Sequence, residues 1–473
     1  MAYEEIDFDI VVVGCGVAGT SAALAAAEAA KEQNKFLNIV VLERTSYENR
    51  GGNSRDTAAY LRMEDETKVA DNFVEEMLEF SGGRSDEAYI RTLSEKAGET
   101  IAWVKDKGVE FDYLPTLFLT SNRPRLLPVG GGRAIIDQLA KRAEQLDVQI
   151  AYHSSAWRLG VGEDGTIDEI WIRDDEGIAT KVKTKAIILA SGGFQGNPEM
   201  MTRYVGKDAY KIPTIADGGL SDKGEGLQMT LDIGGKSAGQ LDTIHAEPSD
   251  PRSNRGDAAI MTYPYGVLVD SAGNRFVDEG ISTIDEQYEA VARRIFDLPD
   301  HIAYVITDQK LFNIPNYENA LQTEKQPIEA DSIAELAEKI NIPKEQLVKT
   351  IEEYNAAVQP GGFDPTQLDG KKTKGLSPEK SNWAIPIDEA PYVCYPIHCS
   401  NVFTYGGVAT DTQGRVLSND DHPIPGLYAA GELTGLYHGK YPGGTSVLRG
   451  LVYGRIAGTE AVNYVSSKGK VKV

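Results

Sequence analysis

"FDIVVVGCGVAGTSAALAAAEAA", residues 8–30, contains the clearest fold signal of the chain. A run of β-branched residues ends at Val13, the pattern Gly14-x-Gly16-x-x-Gly19 follows, and an alanine-rich segment then has the composition of a helix. In such a unit the first glycine permits a tight turn, the second lets backbone N–H groups approach a pyrophosphate, and the third allows helix and strand to pack closely. The stretch therefore predicts a Rossmann-type dinucleotide site.

Further strands and glycine turns extend this prediction. A second predicted strand, residues 38–42, ends at Glu43, where a carboxylate can bond the ribose hydroxyls of an adenosine and disfavours the 2′-phosphate of NADP. The glycine turn in "RGGNSRDTAAYL" (50–61) suits a second contact on a pyrophosphate and a flavin, which favours FAD over NAD. "AIILASGGF" (186–194) and "GLYAAGELTG" (426–435) are two more strands that end in glycine turns. Their separation predicts one α/β nucleotide domain whose sequence is split by an insertion.

Composition limits the partners and the compartment. The 473 residues carry 48 Lys plus Arg against 71 Asp plus Glu, a formal net charge of −23, which argues against nucleic acid and anionic membranes as partners. The three cysteines form no CxxC pair and have no ligand-like spacing with His, so we predict no disulfide framework and no metal site. No basic segment precedes an apolar one at the N-terminus, so we expect a cytoplasmic protein without stable membrane insertion.

The ordered motifs of the chain resemble those of the FAD-dependent flavoproteins of the fumarate reductase and succinate dehydrogenase superfamily. Besides the stretches above, the resemblance rests on "GGGRAIIDQL" (130–139), "GNRFVDEG" (273–280), "TIEEYNAAV" (350–358) and "GGTSVLRGLVYGRIAG" (443–458). It implies an α/β (α+β) fold: a Rossmann-type FAD-binding domain, residues 1–240 and 404–473, is interrupted by a capping and substrate domain, residues 241–403. Within the cap, apolar spacing predicts helices at 332–340 and 344–358, followed by a loop at 359–380.

The resemblance also implies how FAD is held. Members that attach FAD covalently place a His near the "GGNS" turn, where this chain reads Asn-Ser-Arg-Asp-Thr at 53–57, so we expect non-covalent FAD. The helix after Gly443 and Gly444 is expected to direct free N–H groups at the N1 and C2 edge of the flavin, which stabilises the reduced ring. The implied FAD contacts are Gly14, Gly16, Ala18, Gly19, Glu43, Arg44, Gly52, Asn53, Ser54, Gly193, Glu432, Ser446 and Val447.

Three positions depart from the pattern of the fumarate reductases. Where those enzymes carry an Arg proton donor after "RFVDE", this chain has Thr283 or Ile284. Phe403 replaces a His before a glycine turn, and Tyr441 replaces an Arg before the last glycine pair. These departures disfavour fumarate reduction. The stretches "FTY" (403–405) and "YPGGTSVLRG" (441–450) resemble those of tricarballylate dehydrogenases most, with ketosteroid dehydrogenases as the alternative.

The resemblance supplies candidate catalytic residues for a desaturation. Such a reaction needs a base for the leaving proton and preorganised donors for the developing enolate. Tyr441 and Tyr405 are the candidate phenols, and the amides of Gly443 and Gly444 are candidate donors. Tyr405 is equally consistent with a packing aromatic on a strand. A phenol, with an ordinary pKa of about 10, needs a cationic or donor neighbour to act as a base, and the identity of the base stays open.

A histidine and an arginine cluster are candidate substrate contacts. His245 matches a substrate-binding His at the start of the family's cap. Arg123, Arg125 and Arg133 lie in "SNRPRLLPVGGGR" (121–133), beside a glycine turn. In so acidic a chain, a local arginine cluster suits a bidentate carboxylate contact, although a solvated patch or a phosphate contact explains it equally well.

We therefore predict an FAD-dependent dehydrogenase, or desaturase, acting on CH–CH groups. It is expected to introduce a C=C bond beside a carboxyl or carbonyl group of a small polycarboxylate or cyclic oxo-acid, by proton abstraction and hydride transfer to flavin N5. The alternatives are a ketosteroid-dehydrogenase-like desaturase of a bulky ketone, a fumarate-type enoate reductase, and a flavin subunit that only relays electrons. Because no separate NAD site is visible, the resemblance implies a quinone, oxygen or a separate redox protein as electron acceptor.

Overall fold

The computed structural model of the protein describes residues 3–114 and 124–468, the side chain at position 468 excepted. The chain forms two compact units. Met1–Leu114, Pro124–His245 and Phe403–Val473 belong to the first unit, and Ala246–Val402 belongs to the second. The chain therefore leaves the first unit after His245 and returns to it at Phe403.

The helices and strands of the described residues are as follows. The strands are β1 Glu4–Asp7, β2 Ile10–Val13, β3 Ile39–Leu42, β4 Phe111–Leu114, β5 Arg125–Pro128, β6 Gln149–Ala151, β7 Ser155–Val161, β8 Ile167–Arg173, β9 Ala179–Lys183, β10 Ala186–Leu189, β11 Ser237–Ala238, β12 Ile244–Ser249, β13 Val267–Val269, β14 Ile302–Asp308, β15 Ile328–Ala330, β16 Tyr392–Thr404, β17 Gly407–Val408, β18 Arg415–Leu417 and β19 Pro423–Ala429. The α-helices are α1 Val17–Glu32, α2 Phe73–Phe80, α3 Glu87–Asp106, α4 Gly131–Glu144, α5 Pro198–Met200, α6 Glu225–Asp232, α7 Ile284–Phe296, α8 Ile333–Lys339, α9 Lys344–Ala357 and α10 Ser446–Lys468.

The first unit is built on a six-stranded sheet with the order β18-β19-β10-β2-β3-β6. β2 pairs in parallel with β10 and β3, so that Ile10 lies beside Ala186 and Ile39. β19 also pairs in parallel with β10. The continuous aliphatic runs of β2, β3 and β10 are buried throughout, as expected for strands covered on both faces. The prediction that strands ending near residues 13, 190 and 430 share one domain is confirmed.

Helices α1 and α10 pack together through small residues. A Cβ at Gly454 would lie 2.4 Å from the carbonyl oxygen of Ala18, and one at Gly458 would lie 2.2 Å from that of Ala22. The two backbones can approach this closely only because glycine has no side chain. This contact fixes the start of α10 relative to the turn that follows β2.

The second unit has an antiparallel sheet in which β14 lies between β13 and β16, and β15 pairs with β16. Leu336, Leu347 and Ile351 from α8 and α9 are buried against Val267 and Cys394 of this sheet. The helices predicted at 332–340 and 344–358 are confirmed, and residues 359–380 form a loop. Over the described ranges, none of the helices has the length and apolar character that a membrane crossing requires.

Candidate active site

The turn between β2 and α1 leaves the start of α1 open at the carboxyl edge of the sheet. Gly14 has a φ of +101°, and a Cβ at Gly19 would lie 1.8 Å from the carbonyl oxygen of Gly14. Among the described residues, no side chain caps α1 and no acidic residue lies in its first turn. The N–H groups and the positive end of the helix dipole therefore favour an anion here.

Glu43 is fixed beside this turn at the end of β3. One carboxylate oxygen accepts the backbone N–H of Cys15 at 3.1 Å. The other accepts the backbone N–H and the hydroxyl of Thr45, at 2.9 and 2.8 Å. The neighbouring Arg44 donates to the carbonyl of Ser221 at 3.0 Å and to Glu225 at 2.6 Å. The acid is buried and its orientation is determined by these bonds.

The turn 51–54 packs against the same helix start. Gly52 opens a 3₁₀ turn, Gly52–Asp56. A Cβ at Gly16 would lie 3.3 Å from the hydroxyl of Ser54 and 3.4 Å from the carbonyl oxygen of Gly51. The backbones of the two glycine turns therefore pack directly against each other at the carboxyl end of β2.

A pair of buried carboxyl groups lies at the glycine turn that follows β10. A Cβ at Gly192 would lie 2.4 Å from a carboxyl oxygen of Asp222, and one at Gly193 would lie 2.1 Å from a carboxyl oxygen of Glu432. The side-chain amide of Gln195 donates to Asp222 at 2.6 Å and to Glu432 at 3.4 Å. Only glycines admit both carboxyl groups at this turn.

Burial governs the ionisation of this pair. It raises the pKa of Glu432 to about 7, against bonds from Thr404 that favour the charged form. The pKa of Asp222 is raised well above its ordinary value, first by burial and then by the charge of Glu432. Because two like charges this close oppose one another, the pair holds a proton near neutral pH.

The phenol of Tyr441 caps the last helix. Its oxygen accepts the backbone N–H groups of Thr445 and Ser446, each at 2.9 Å. Its O–H donates to the hydroxyl of Ser446 at 3.1 Å. Gly443 and Gly444, with φ values of +57° and +70°, turn the chain back so that the ring reaches the helix end. The sequence predicts free N–H groups at this helix start, whereas two of them are bonded to Tyr441.

Four aromatic side chains of the described residues cluster with this phenol: His245, Phe403, Tyr405 and Tyr437. Together with Tyr441 we call them the aromatic wall. The ring of Tyr441 lies 4.4 Å from that of His245, 5.0 Å from that of Phe403 and 5.1 Å from that of Tyr437, between centroids. The ring of Tyr405 lies 5.9 Å from Phe403 and 5.6 Å from Tyr437. All five side chains are buried.

Two buried arginines flank the turn that carries Tyr441. Arg62 is bonded to the carbonyl of Pro442 and to Glu76, and its backbone N–H donates to the carbonyl of Gly444 at 2.8 Å. Arg125 lies over the glycines: its Nη2 is 3.2 Å from the position of a Cβ at Gly443, and its Nε is 2.8 Å from that at Gly444. The turn is therefore held between two guanidinium groups.

The sequence profile of the FAD binding domain family matches residues 9–448, nearly the whole chain. The chain belongs to the FAD binding domain family. It is an FAD-dependent oxidoreductase of the fumarate reductase and succinate dehydrogenase flavoprotein superfamily, as the resemblance predicts.

Relatives of this flavoprotein include both reductases and a dehydrogenase. It is 26% identical to the probable fumarate reductase Ifc3 of Shewanella frigidimarina, over 97% of this chain and 75% of the relative. It is 26% identical to the vinyl phenol reductase of Lactiplantibacillus plantarum, over 98% of each chain. It is 25% identical to the 4-oxocyclohexanecarboxylate 2-dehydrogenase of Sinomonas cyclohexanicum, over 71% of this chain and 62% of the relative. The nearer likeness to tricarballylate dehydrogenases stays a prediction.

Solved structures show the same fold for this flavoprotein. The open conformation of a flavocytochrome c3 fumarate reductase superposes with a TM-score of 0.79 at 24% identity, over 97% of this chain and 79% of the other. A 3-ketosteroid-Δ4-(5α)-dehydrogenase from Rhodococcus jostii RHA1 superposes with a TM-score of 0.71 at 24% identity, over 98% of each chain. Each likeness establishes the α/β fold.

The residues of this flavoprotein fit FAD. Three of the predicted contacts, Gly14, Gly16 and Glu43, surround the open start of α1, and Ser54 lies against Gly16. Further predicted contacts lie along the same sheet edge or at α10: Ala18 and Gly19 in the first turn of α1, Gly52 and Asn53 in the 51–54 turn, Gly193 with Glu432, and Ser446 and Val447. The contact of each with FAD stays a prediction.

The predicted substrate residues of this flavoprotein are only partly brought together. Tyr441, Tyr405 and His245 meet in the aromatic wall, and Gly443 lies beneath Arg125. Arg133 lies on α4, where it donates to the carbonyl of Glu48 at 3.3 Å. Arg123 lies outside the described residues.

Sequence reasoning missed the partner of Glu432. Asp222 lies in the polar loop "GLSDKGEG", residues 219–226, and is separated from Glu432 by an entire second unit of the chain. Nothing in that loop marks Asp222 as a buried acid. Asp222 reaches the glycine turn after β10 from this loop, whereas Glu432 reaches it from the turn after β19, so only the folded chain brings the two carboxyl groups together.

Proposed function

We propose that this flavoprotein is a desaturase that introduces a C=C bond beside a carboxyl or carbonyl group of a small polycarboxylate or cyclic oxo-acid. The observation that carries the proposal is the phenol of Tyr441, held at the start of α10 by two backbone N–H bonds of 2.9 Å. FAD, when bound non-covalently, supplies a hydride acceptor at N5. The residues of the chain polarise the substrate, take up its proton and exclude water.

Tyr441 is the proposed donor to the reacting carbonyl or carboxyl oxygen. Because hydrogen bonds in a chain polarise one another, an oxygen that accepts two N–H groups donates its own hydrogen more strongly. Rotation about the phenolic C–O bond turns this hydrogen from Ser446 toward a substrate oxygen. Backbone amides at Gly443 and Gly444 are the proposed further donors. Together they would stabilise the enolate that develops when a proton leaves the adjacent carbon.

The aromatic wall would surround the reacting carbons with apolar surface. Its members are buried, and a water-poor setting strengthens the bond from Tyr441 to a developing negative charge. The candidate proton acceptors in the wall are a neutral imidazole nitrogen of His245 and the phenolate oxygen of Tyr405. We assign to His245 a contact with the substrate, because the centroid of its ring lies 4.4 Å from that of Tyr441.

Reduction of a conjugated C=C bond is the second candidate, since two relatives are named as a fumarate and a vinyl phenol reductase. The phenol of Tyr441 would then polarise the conjugated substrate that accepts a hydride from the reduced flavin. Tyr441 in place of the arginine expected of fumarate reductases supports desaturation over fumarate reduction. Fumarate and vinyl phenol as oxidants of the reduced protein distinguish the two directions.

The proposal is tested by anaerobic bleaching of the flavin absorbance of the FAD-loaded protein. The substrates are tricarballylate, succinate, 4-oxocyclohexanecarboxylate and a 3-ketosteroid. We expect bleaching by at least one acid, and a fall in its rate of about 10²–10³-fold in Tyr441→Phe, the usual effect of losing one such donor.

The matched control is Tyr453→Phe, which removes a buried phenol from α10, the helix that Tyr441 caps. Tyr453 donates to the carbonyl of Tyr89 at 3.0 Å and lies outside the aromatic wall. Its loss is expected to leave the bleaching rate within about threefold of the wild-type rate, because the Tyr453 hydroxyl does not contact the reacting atoms and its removal acts mainly on stability. Equal rates in wild type and Tyr441→Phe would refute the role of the phenol.

A further inference from the structure

We propose that the guanidinium of Arg125 binds a carboxylate of the substrate beside Gly443 and Gly444, so that this flavoprotein selects carboxylic acids over neutral ketones. The inference rests on the proposed function and names the substrate class of the same site. Of the three arginines that the sequence offers as carboxylate contacts, only the buried Arg125 is given this role. Tyr441 and the Arg125 subsite would then act on two ends of one small acid.

Arg125 is a buried residue of a paired strand. Arg125 is 3% exposed and belongs to β5, where it lies opposite Leu114 of β4. Its Nη1 donates to the carbonyl of Pro124 at 3.0 Å. Strand pairing and this bond fix the side chain in one direction. The head group comes to rest on the turn that carries the proposed catalytic phenol.

The backbone under the guanidinium of Arg125 carries no side chain at Gly443 and Gly444. Nε lies 2.8 Å and Cδ 3.0 Å from the position that a Cβ would take at Gly444. Any side chain at Gly444 would displace the arginine, and both glycines of the turn have positive φ. The glycines therefore let the guanidinium pack directly on the turn, and its planar fork matches the two oxygens of a carboxylate.

The electrostatic field at this turn favours an anion. The guanidinium lies at the turn that leads into α10, whose first turn, within the described residues, contains no acidic side chain. The positive end of the helix dipole and the arginine therefore add their fields at one place. In a chain with a formal net charge of −23, this local positive charge opposes the overall field and favours a small anion.

Arg62 shows what a purely structural arginine looks like at the same turn. It is bonded to Glu76 and to the carbonyl of Pro442, and thus fastens the turn to α2. Arg125 differs because its head group lies on the glycine surface itself. We therefore assign fastening to Arg62 and recognition to Arg125.

The test measures binding separately from turnover. Oxidised, FAD-loaded wild type, Arg125→Gln and Arg125→Lys are titrated with 4-hydroxybenzoate, an aromatic acid with no C–C bond left to desaturate, and with its neutral methyl ester, and the flavin difference spectrum gives Kd. We expect Arg125→Gln to weaken acid binding by about 10- to 100-fold, the usual effect of losing a charged hydrogen bond, and to leave ester binding unchanged. Arg125→Lys keeps the charge without the fork and should give an intermediate Kd.

Arg133→Gln is the matched control, because Arg133 comes from the same stretch of sequence and contacts Glu48. Its Kd for the acid should equal that of the wild type. An Arg125→Gln variant that binds the acid as tightly as wild type, or that loses acid and ester equally, overturns the inference. If the variants do not fold, the wild type decides: an ester bound as tightly as the acid also overturns it.

Failure of this inference is distinguishable from failure of the proposed function. Bleaching by an acid that Arg125→Gln binds as tightly as the wild type refutes the Arg125 subsite and leaves the desaturase intact. Acid binding that depends on Arg125, without bleaching by any member of the panel, supports the subsite and refutes the desaturase.

Discussion

Tyr441 and Ser446 are hydrogen-bonded twice: the phenolic oxygen accepts the backbone N–H of Ser446 at 2.9 Å, and the phenolic O–H donates to the serine hydroxyl at 3.1 Å. The aromatic side chain therefore performs the task of a helix cap from five residues upstream. This arrangement explains why two glycines precede the helix: they turn the chain back far enough for the ring to reach it. It also places a polarised phenol in the aromatic wall.

Tyr441→Phe should lower stability as well as activity. The substitution leaves two N–H groups at the start of α10 without their acceptor, and loss of a cap costs about 1 kcal/mol, within a range of about 0.5–2 kcal/mol. Ser446→Ala removes only the hydroxyl and keeps both N–H bonds, so it should cost less. Denaturant unfolding of the two FAD-free variants measures the difference. A larger loss in Ser446→Ala would contradict the capping role.

Gly444→Ala should damage the site more than backbone strain alone predicts. An alanine at a positive φ costs about 1–2 kcal/mol, and at Gly444 the added Cβ would also lie 2.8 Å from Nε of Arg125. Gly82→Ala is the matched control, since Gly82 has a φ of +61° and no atom of the described residues lies within 4 Å of the added Cβ. We expect only Gly444→Ala to weaken binding of 4-oxocyclohexanecarboxylate. Equal effects on binding would show that the Arg125 contact is irrelevant.

The carboxyl pair predicts a pH dependence of stability. The folded-state pKa of Glu432, about 7, exceeds its ordinary value of 4.5 because the group is buried. The folded protein therefore binds more protons than the unfolded chain between these values, and stability of the FAD-free protein should fall as pH rises from about 4.5 to 7. Glu432→Gln should flatten this fall. An unchanged slope in denaturant unfolding across that range would contradict the raised pKa.

Trp383 should hold the loop 359–380 of the second unit. It is fully buried at a φ of +54°, and its indole N–H donates to the carbonyls of Asp364 and Gln367, both at 2.9 Å. Trp383→Ala is expected to cost about 3–5 kcal/mol, as for other large buried aromatics. The exposed Leu368→Ala in the same loop should cost little. Thermal unfolding and limited proteolysis of the loop compare them, and equal sensitivity would contradict this role.

The sequence predicts the nucleotide half of this fold well, because its signals are local. Apolar runs followed by glycines identify β2, β10 and β19, and the acid at Glu43 follows its strand directly. Such patterns depend on a few neighbouring residues, whose backbone requirements are the same in any protein. The strands that carry them were therefore found together in one sheet.

The site itself depends on contacts that no local pattern contains. Arg125 and Arg133 look like one cluster, yet a strand holds the first and α4 holds the second, because the chain reverses at the glycines between them. Asp222 meets Glu432 only at the sheet edge. Tyr441 reaches the helix start only because both following glycines adopt positive φ. These relationships need the folded chain.

A single-turnover experiment shows whether the FAD-loaded protein removes hydrogen from a carbon–carbon bond. Anaerobic protein is mixed with 4-oxocyclohexanecarboxylate or tricarballylate in equimolar amount, and flavin absorbance and product mass are measured together. We predict bleaching matched by a product that has lost two hydrogen atoms, both strongly slowed in Tyr441→Phe. An unbleached flavin with every acid and ketone, together with rapid reoxidation of the reduced protein by fumarate or vinyl phenol, would contradict this prediction.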